Sequence, residues 1–483
     1  MKFSFSVALL TTLLGCNVEA FAPSNGRRTT TTSSLFSTTV TNSNVVLRPS
    51  TDTPDAFDSL KVGTARVHRY QRDGIESSSD SAEYVMWYHG RSKELDADKA
   101  LPPLSTGRIG RAFSNNGLSW KKDPVGSESE DAKDVSLGLN NESWWGFDTA
   151  HVGLGSVLLP MSTPAVITEG GVYLMYYMGG SFEETPIADY TNKQVPTDAT
   201  IKGMKMKIGV CVSQDGKTWG RVEGDDPTGA VITPYDLSDS NSQIMVASPP
   251  RGSLKEELYC AWPDVVVNVD DNKSDSQFFM YYSTMLKDSK EKCIGYATSP
   301  DGFRWLKQGI CLEPDSDSET SMDNDGCARC NVVRNASYDA NTATWKQESG
   351  YTMYYEGVSK DDGKHRVMMA ESVDGHKWIK KGVVLDIGES EDSWDCDGVG
   401  SPHVLRYVVI FMMSDSSLLL SMSVEFPEIP LDKISFRISN NCGFDSFCLP
   451  LSLGIHTAWM MDHNVCITLA KGCKVALQMV LPG

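Results

Sequence analysis

Basic residues are scarce in this 483-residue chain: 44 Lys and Arg stand against 63 Asp and Glu, a formal net charge of −19. Nucleic acid and anionic lipid both need a basic stripe to bind, so they are excluded as partners. Long apolar runs are lacking too. The stretch over residues 7–14 is too short to span a bilayer, and the one over 408–413 is cut by Asp415 and its neighbouring serines, so no membrane span is expected. The spacings of a P-loop, a hydrolytic triad and a zinc site are absent, and neither metal nor cofactor is expected. Regular cysteine spacing is missing as well. Of twelve cysteines, all but Cys16 fall irregularly between Cys211 and Cys473, which suits free thiols better than a disulfide framework. Cys327-Ala-Arg-Cys330 is a lone CxxC, read as buried strand thiols.

What is present begins with an address. Lys2, the short apolar run and Ala20 read as a signal peptide over residues 1–20. A Ser/Thr-rich tract with Arg27, Arg28 and Arg48 and no acid follows over residues 21–50. Ala20-Phe21-Ala22-Pro23 resembles the cleavage motif of bipartite plastid presequences in diatoms and related algae. That resemblance implies delivery to the plastid (chloroplast) through the secretory pathway, the alternative being a secreted protein with a disordered linker. Beyond the leader, whose second part carries +3, residues 51–483 hold −22.

The body repeats itself. Ser114-Asn-Asn-Gly-Leu-Ser-Trp120, Ser213-Gln-Asp-Gly-Lys-Thr-Trp219, Ser299-Pro-Asp-Gly-Phe-Arg-Trp305 and Ser372-Val-Asp-Gly-His-Lys-Trp378 are one phrase written four times. Upstream of each stands a second phrase, Tyr84-Val-Met-Trp-Tyr88, Tyr173-Leu-Met-Tyr-Tyr177, Phe278-Phe-Met-Tyr-Tyr282 and Tyr351-Thr-Met-Tyr-Tyr355. Gly supplies the positive φ of a tight reversal, Ser and Asp can bond the turn amides, and Trp can lie over the hairpin. The Tyr-rich runs suit strands held between two layers. Each unit reads as four antiparallel strands, which is a propeller blade whose apolar faces are covered by its neighbours.

Five inner strands align through Thr64-Ala-Arg-Val67, Thr163-Pro-Ala-Val166, Trp262-Pro-Asp-Val265, Arg329-Cys-Asn-Val332 and Ser401-Pro-His-Val404. The expectation is an all-β, five-bladed β-propeller over residues 55–404, with boundaries near 55–122, 144–222, 258–312, 320–385 and 394 onward. Residues 405–483 lack both phrases, and are either a divergent, truncated last blade or the product of a mis-drawn gene boundary. The third place of the column gives Arg66, Ala165, Asp264, Asn331 and His403, four polar groups in otherwise apolar strands. Buried polar groups need partners, so these either bond one another or meet a hydroxyl-rich ligand in a central funnel.

The blade grammar and Ala261-Trp262-Pro-Asp264-Val-Val266 resemble the five-bladed propeller superfamily of arabinanases, levansucrases and invertases. The resemblance implies a glycoside hydrolase or transglycosidase acting on a glycan or small glycoside, with Asp264 at the place of the Asp that orients the general acid. The family's base motif is replaced by Gly63-Thr-Ala-Arg66 and its Glu-bearing strand by Arg329-Cys-Asn-Val332. Glycoside cleavage needs two carboxyl groups. Asp148, Asp325, Asp397 and Glu356 are the further candidates, Glu356 sitting where His89, Met178 and Ser283 stand in sister units. Arg66, Trp262, Arg329, Asn331, His403 and His151 are the candidate ligand-binding residues. The alternative is a non-catalytic carbohydrate-binding or interaction propeller that has lost the carboxylate pair.

Overall fold

The computed structural model describes residues 45–70, 83–92, 107–123, 134–161, 170–192, 194–268, 278–339, 344–388, 390–391 and 393–405, and four strands beyond. Residues 1–44, with the signal expectation and most of the transit tract, lie outside them, whereas residues 45–50 are described, with Leu47 buried and Ser50 Oγ accepting from Lys122 at 2.7 Å. The chain divides into two units. The first, essentially residues 45–335 and 347–405, carries the repeats.

Its strands are β1 Lys61–Arg69, β2 Tyr84–Arg91, β3 Gly107–Ser114, β4 Lys121–Lys122, β5 His151–Met161, β6 Val172–Gly180, β7 Glu184–Pro186, β8 Thr200–Lys202, β9 Lys207–Ser213, β10 Gly220–Val222, β11 Glu257–Val267, β12 Phe278–Leu286, β13 Lys292–Ser299, β14 Leu306–Leu312, β15 Gly326–Asp339, β16 Thr344–Val358, β17 His365–Ser372 and β18 Ile379–Leu385. They form four antiparallel meanders, β1-β2-β3-β4, β5-β6-β9-β10, β11-β12-β13-β14 and β15-β16-β17-β18, the last two linked by one parallel bridge between Lys292 and Gly326. β7 and β8 pair as a separate hairpin between β6 and β9. Among the described residues helix is confined to Ile187–Tyr190 and Ser240–Ile244. The first unit is an all-β propeller. In the second, β19 Tyr407–Met412, β20 Leu419–Val424, β21 Ser435–Ser439 and β22 Val475–Val480 make a sheet in the order β19-β20-β22-β21, with β20 and β22 parallel. A parallel pair has no place in a blade meander, so this sheet departs from the repeat.

Three devices hold the blades. The first is the turn. In the second unit of the repeat, Ser213 Oγ accepts from the Gly216 amide at 2.8 Å, and Asp215 Oδ1 accepts from Lys217 and Thr218 at 2.8 and 2.9 Å. Ser299 and Asp301 do the same in the third. The turn glycine also ties one blade to the previous one. Trp87 Nε1 donates to Gly216 O at 2.8 Å, Tyr176 OH to Gly302 O at 2.9 Å, and Tyr281 OH to Gly375 O at 2.6 Å. The turn tryptophans meet the same three rings edge-on: Trp219 on Trp87, Trp305 on Tyr176 and Trp378 on Tyr281. Gly302 has φ +82°, and a Cβ there would stand 2.9 Å from Tyr176 OH. Glycine is therefore required twice over, by conformation and by the neighbour's hydroxyl.

The second device is a buried brace inside each blade. The last Tyr of each aromatic phrase donates to an acid at the entry of the inner strand, just ahead of it or, for Glu257, its first residue: Tyr88 to Asp58 (3.0 Å), Tyr177 to Asp148 (2.8 Å), Tyr282 to Glu257 (2.9 Å) and Tyr355 to Asp323 (2.9 Å). Each acid also meets a cation from the outer strand, in order Lys122, Arg221, Lys307 and Lys380. The inner strand's entry is thereby clamped to the blade's outer edge. A hydrogen bond to a charged group contributes about 1.5–3 kcal/mol net.

The third device closes the circle. Ser156 Oγ accepts from Val265 N (3.2 Å), Asp264 Oδ2 from Val332 N (2.7 Å) and Asn331 Oδ1 from Val404 N (2.9 Å). His403 Nε2 lies 3.0 Å from Val67 N. Each side chain reaches one residue past the equivalent position in the next inner segment, and the last reaches the first. The remaining step is made by His68 Nε2, 2.6 Å from Val157 O.

One expectation is corrected here. The inner strand of the second meander is β5, and Ser156 pairs with Tyr176 as Arg66 pairs with Trp87 and Asp264 with Tyr281. The column residue is therefore Ser156. Ala165 follows β5 and lies outside the described residues. Proline drew the alignment to Thr163-Pro-Ala-Val166, but register is set by pairing with the Tyr-rich strand.

Candidate functional site

The inner strands bring two tiers of polar side chains together at the axis. In the lower tier, Arg66 Nη2 lies 3.3 Å from Asp264 Oδ1, with both residues almost fully buried. Arg66 also donates to Pro402 O at 3.1 Å and Cys330 O at 3.4 Å. Asn331 Nδ2 reaches both oxygens of Asp264, at 3.2 and 3.3 Å. Arg66, Asp264 and Asn331 thus meet directly, and the His403 segment joins them through Pro402 and Val404. Burial raises the Asp264 carboxyl above its usual value, an effect that Arg66, the Val332 amide and Asn331 offset only in part. All of those neighbours donate, so a proton on either oxygen would displace a donor and find no acceptor. His403 is held neutral, its pKa drawn down to about 3 by burial and by Arg66.

The upper tier lies at the end where the inner strands begin. Thr64, Trp262 and Ser401 occupy one register position of three inner segments, and all three have left-handed backbones, φ +45°, +48° and +53°. Each precedes its column residue by two, at the irregularities in the pairing of β1 and β11. A β-branched residue at positive φ is costly, about 1–3 kcal/mol, and such strain collects at ligand sites. Arg329 holds the equivalent place in β15. Its guanidinium lies 4.5 Å over the Trp262 ring and donates from Nη1 to Glu356 Oε2 (3.2 Å) and Ser401 Oγ (3.3 Å). Glu356 also accepts from Ser401 N at 3.1 Å and is bonded to His365 Nδ1. Burial would raise this carboxyl, but Arg329 and His365 outweigh it and bring its pKa to about 2.

The other candidates are placed apart. Asp148 is buried in the second brace, between Tyr177 and Arg221. His151 is fully buried at the start of β5, with Nε2 2.7 Å from Gly203 O. Asp325 and Asp397 are exposed on the connections ahead of their inner segments. Beyond the candidates, the upper tier includes Thr64, Ser401, His365 and His89, and also Arg91 and Arg108 at the facing ends of β2 and β3. The alignment of His89 with Glu356 pointed to that ring, while the arginines stand outside every repeated phrase.

Eight acids are buried among the described residues, and each meets a cation. Asp58 meets Lys122, Asp123 Arg111, Asp148 Arg221, Asp226 Lys207, Glu257 Lys307, Asp264 Arg66, Asp323 Lys380 and Glu356 Arg329. No group of three or more His, Cys, Asp and Glu suited to a metal ion occurs among the described residues.

No protein-family model matches the chain, and no curated protein matches it. Solved structures do. A protein from Parabacteroides distasonis with a provisional glycoside hydrolase assignment is 13% identical, with TM-score 0.43, covering 77% of this chain and 91% of that one. The β-1,2-mannobiose phosphorylase of Listeria innocua is 12% identical, with TM-score 0.38 and coverage of 73% and 85%. A family 117 glycoside hydrolase from Zobellia galactanivorans is 11% identical, with TM-score 0.33 and coverage of 66% and 75%. Likeness at this level carries no argument about what this chain does.

Proposed function

We propose that the chain is a five-bladed propeller that binds a carbohydrate at the upper tier, and that its buried carboxylates serve the fold rather than glycoside cleavage. The observation that carries this is that every buried acid among the described residues is paired with a cation. A glycosidase needs one carboxyl poised to give a proton and a second free to attack or to activate water. Here Asp264 is enclosed by donors, and Glu356 is held ionised between Arg329 and His365. What the upper tier does offer is hydroxyls at strained positions, a guanidinium and an indole, which suit the alternating hydroxyl and C–H faces of a sugar. The fifth inner segment, residues 401–404, supports the blade count by linking Asn331 to Val67.

The competing reading is a glycoside hydrolase or transglycosidase working from Asp264, favoured by the burial that raises that carboxyl. Oligosaccharide binding and product formation by the full chain, measured beside Trp262→Ala and Asp264→Asn, separate the two. Binding that is lost in Trp262→Ala, with no product formed by the wild type, is expected. Wild-type turnover that vanishes in a stably folded Asp264→Asn would overturn the proposal. The plastid destination remains part of the same proposal, tested by fusing residues 1–50 to a fluorescent protein in a diatom.

A further inference from the structure

Tryptophan is highly buried on average, yet Trp144 is 86% exposed and Trp145 50%. Their rings meet edge-on at 5.9 Å, so together they present one apolar knob to solvent. The backbone that carries them is tied down. Asn140 N donates to Asp148 O at 3.2 Å, closing residues 140–148 into a loop, and Asp148 is itself fixed by Tyr177 and Arg221. At the start of the loop Asn140 Oδ1 accepts from Glu142 N at 3.2 Å and Ser143 N at 3.0 Å. At its tip Gly146 N donates to Ser143 O at 2.9 Å, a turn whose two central residues are the tryptophans. Two indoles are thus held out in water by hydrogen-bonded turns.

The same loop carries a chemical label. Asn141-Glu142-Ser143 is an Asn-x-Ser acceptor triplet for N-linked glycan, and Asn141 is exposed. Two other triplets of this kind occur, at Asn272 and Asn335. Asn272 lies outside the described residues. Asn335 stands in β15, where Nδ2 donates to Ser349 O at 3.3 Å and Oδ1 accepts from Thr352 Oγ1 at 3.0 Å, so both ends of its amide are spent on the sheet. Asn141 is three residues from Trp144, a separation of at most about 10 Å along the chain, within reach of the first rings of an attached glycan.

We propose that Asn141 is a site of N-linked glycosylation and that the first N-acetylglucosamine rings of the glycan lie over the Trp144–Trp145 knob. In the transfer, Asn141 Nδ2 loses a proton to solvent and bonds to C1 of the sugar. The bond from C1 to the diphosphate of a lipid-linked oligosaccharide donor breaks, and its electron pair leaves with the diphosphate. A sugar ring offers C–H groups to an indole on one face and hydroxyls to water on the other, which suits this pair and gives it a cover built into its own loop. The sugar here is attached to the chain rather than bound at the upper tier, so the inference stands apart from the reading of that site. It rests instead on the leader, whose plastid and secreted destinations both pass through the lumen where such transfer occurs.

The test produces the full chain in a eukaryotic secretory host in two forms, with its own leader and with an established signal peptide. The peptide containing residue 141 is read by mass spectrometry after peptide-N-glycosidase, which converts a glycosylated Asn to Asp. With the established signal peptide, conversion at Asn141 is expected, and it should be absent in Ser143→Ala. The glycosylated wild type should melt about 2 °C above Asn141→Gln and show less quenching of tryptophan fluorescence by acrylamide. Both differences should vanish when Trp144→Ala and Trp145→Ala are present in each protein. An unmodified Asn141 in the form with the established signal peptide would overturn the proposal. A glycan at Asn141 that alters neither Tm nor quenching would overturn the covering of the tryptophans. Modification with the established signal peptide but none with the chain's own leader would overturn the leader reading, and with it the modification of the natural chain, leaving Asn141 a competent acceptor.

Discussion

Removing the charge of Asp264 tests the structural account of the axis. Asp264→Asn keeps the side chain's shape and an acceptor for the Val332 amide, but leaves Arg66 as a buried cation facing the Ala65, Pro402 and Cys330 carbonyls without a carboxylate. Breaking one side of a buried ion pair costs about 3–5 kcal/mol. At roughly 2 °C per kcal/mol for a domain of this size, Tm should fall by about 6–10 °C. The double variant Arg66→Met, Asp264→Leu removes both charges. It should return to within about 2 kcal/mol of the wild type, because well-packed apolar groups commonly replace buried pairs at little cost. Chemical denaturation of the wild type, Arg66→Met, Asp264→Leu and the double variant gives the coupling energy directly. An Asp264→Asn variant as stable as the wild type, or a double variant no better than the single one, would refute the reasoning.

Other consequences follow from the same contacts. Glu356 has a folded pKa near 2 against an ordinary value of 4.5, so its contribution, about 3 kcal/mol, is present above pH 4.5 and lost as pH falls toward 2. Urea midpoints across that window should show the loss in the wild type and a flatter profile in Glu356→Gln. His68, His151 and His403 are drawn down to about 4, 4 and 3, so they take up protons in the unfolded chain before the folded one. Stability should therefore decline as pH drops from 6.5 toward 4, an effect that His403→Gln should lessen. Gly302→Ala meets both φ +82° and the Tyr176 hydroxyl, and should lower stability by about 2 kcal/mol in a denaturant titration. Tyr177→Phe leaves the Asp148–Arg221 pair in place and should cost about 1.5–3 kcal/mol, measured the same way.

The repeated phrases made the blades legible because each encodes a local act: a reversal at Ser-x-Asp-Gly, a bulky strand at Tyr-x-Met-Tyr-Tyr. They also carried Arg66, Asp264, Asn331 and His403 into one alignment, and the structure ties all four into one network. The second inner strand was misread because Pro164 imitates Pro263 and Pro402, whereas register depends on cross-strand pairing that no local phrase records. The braces escaped notice because their acids and cations lie outside the phrases and meet only after the meander closes. A signal existed: Asp58, Asp148 and Asp323 each stand eight residues before their column residue, and Glu257 seven. That spacing would have placed Asp148 in the brace. Arg91 and Arg108 had no such signal, because a charge at a strand end becomes unusual only once burial is known.

The most direct measurement is a crystal structure of the chain with its tightest-binding oligosaccharide. The account predicts the sugar at the upper tier, within hydrogen-bond distance of Thr64, Ser401 and Arg329, with the Arg66–Asp264 pair unbroken beneath it. A sugar bound elsewhere, or an Asp264 released from Arg66 and turned toward the glycosidic oxygen, would contradict it.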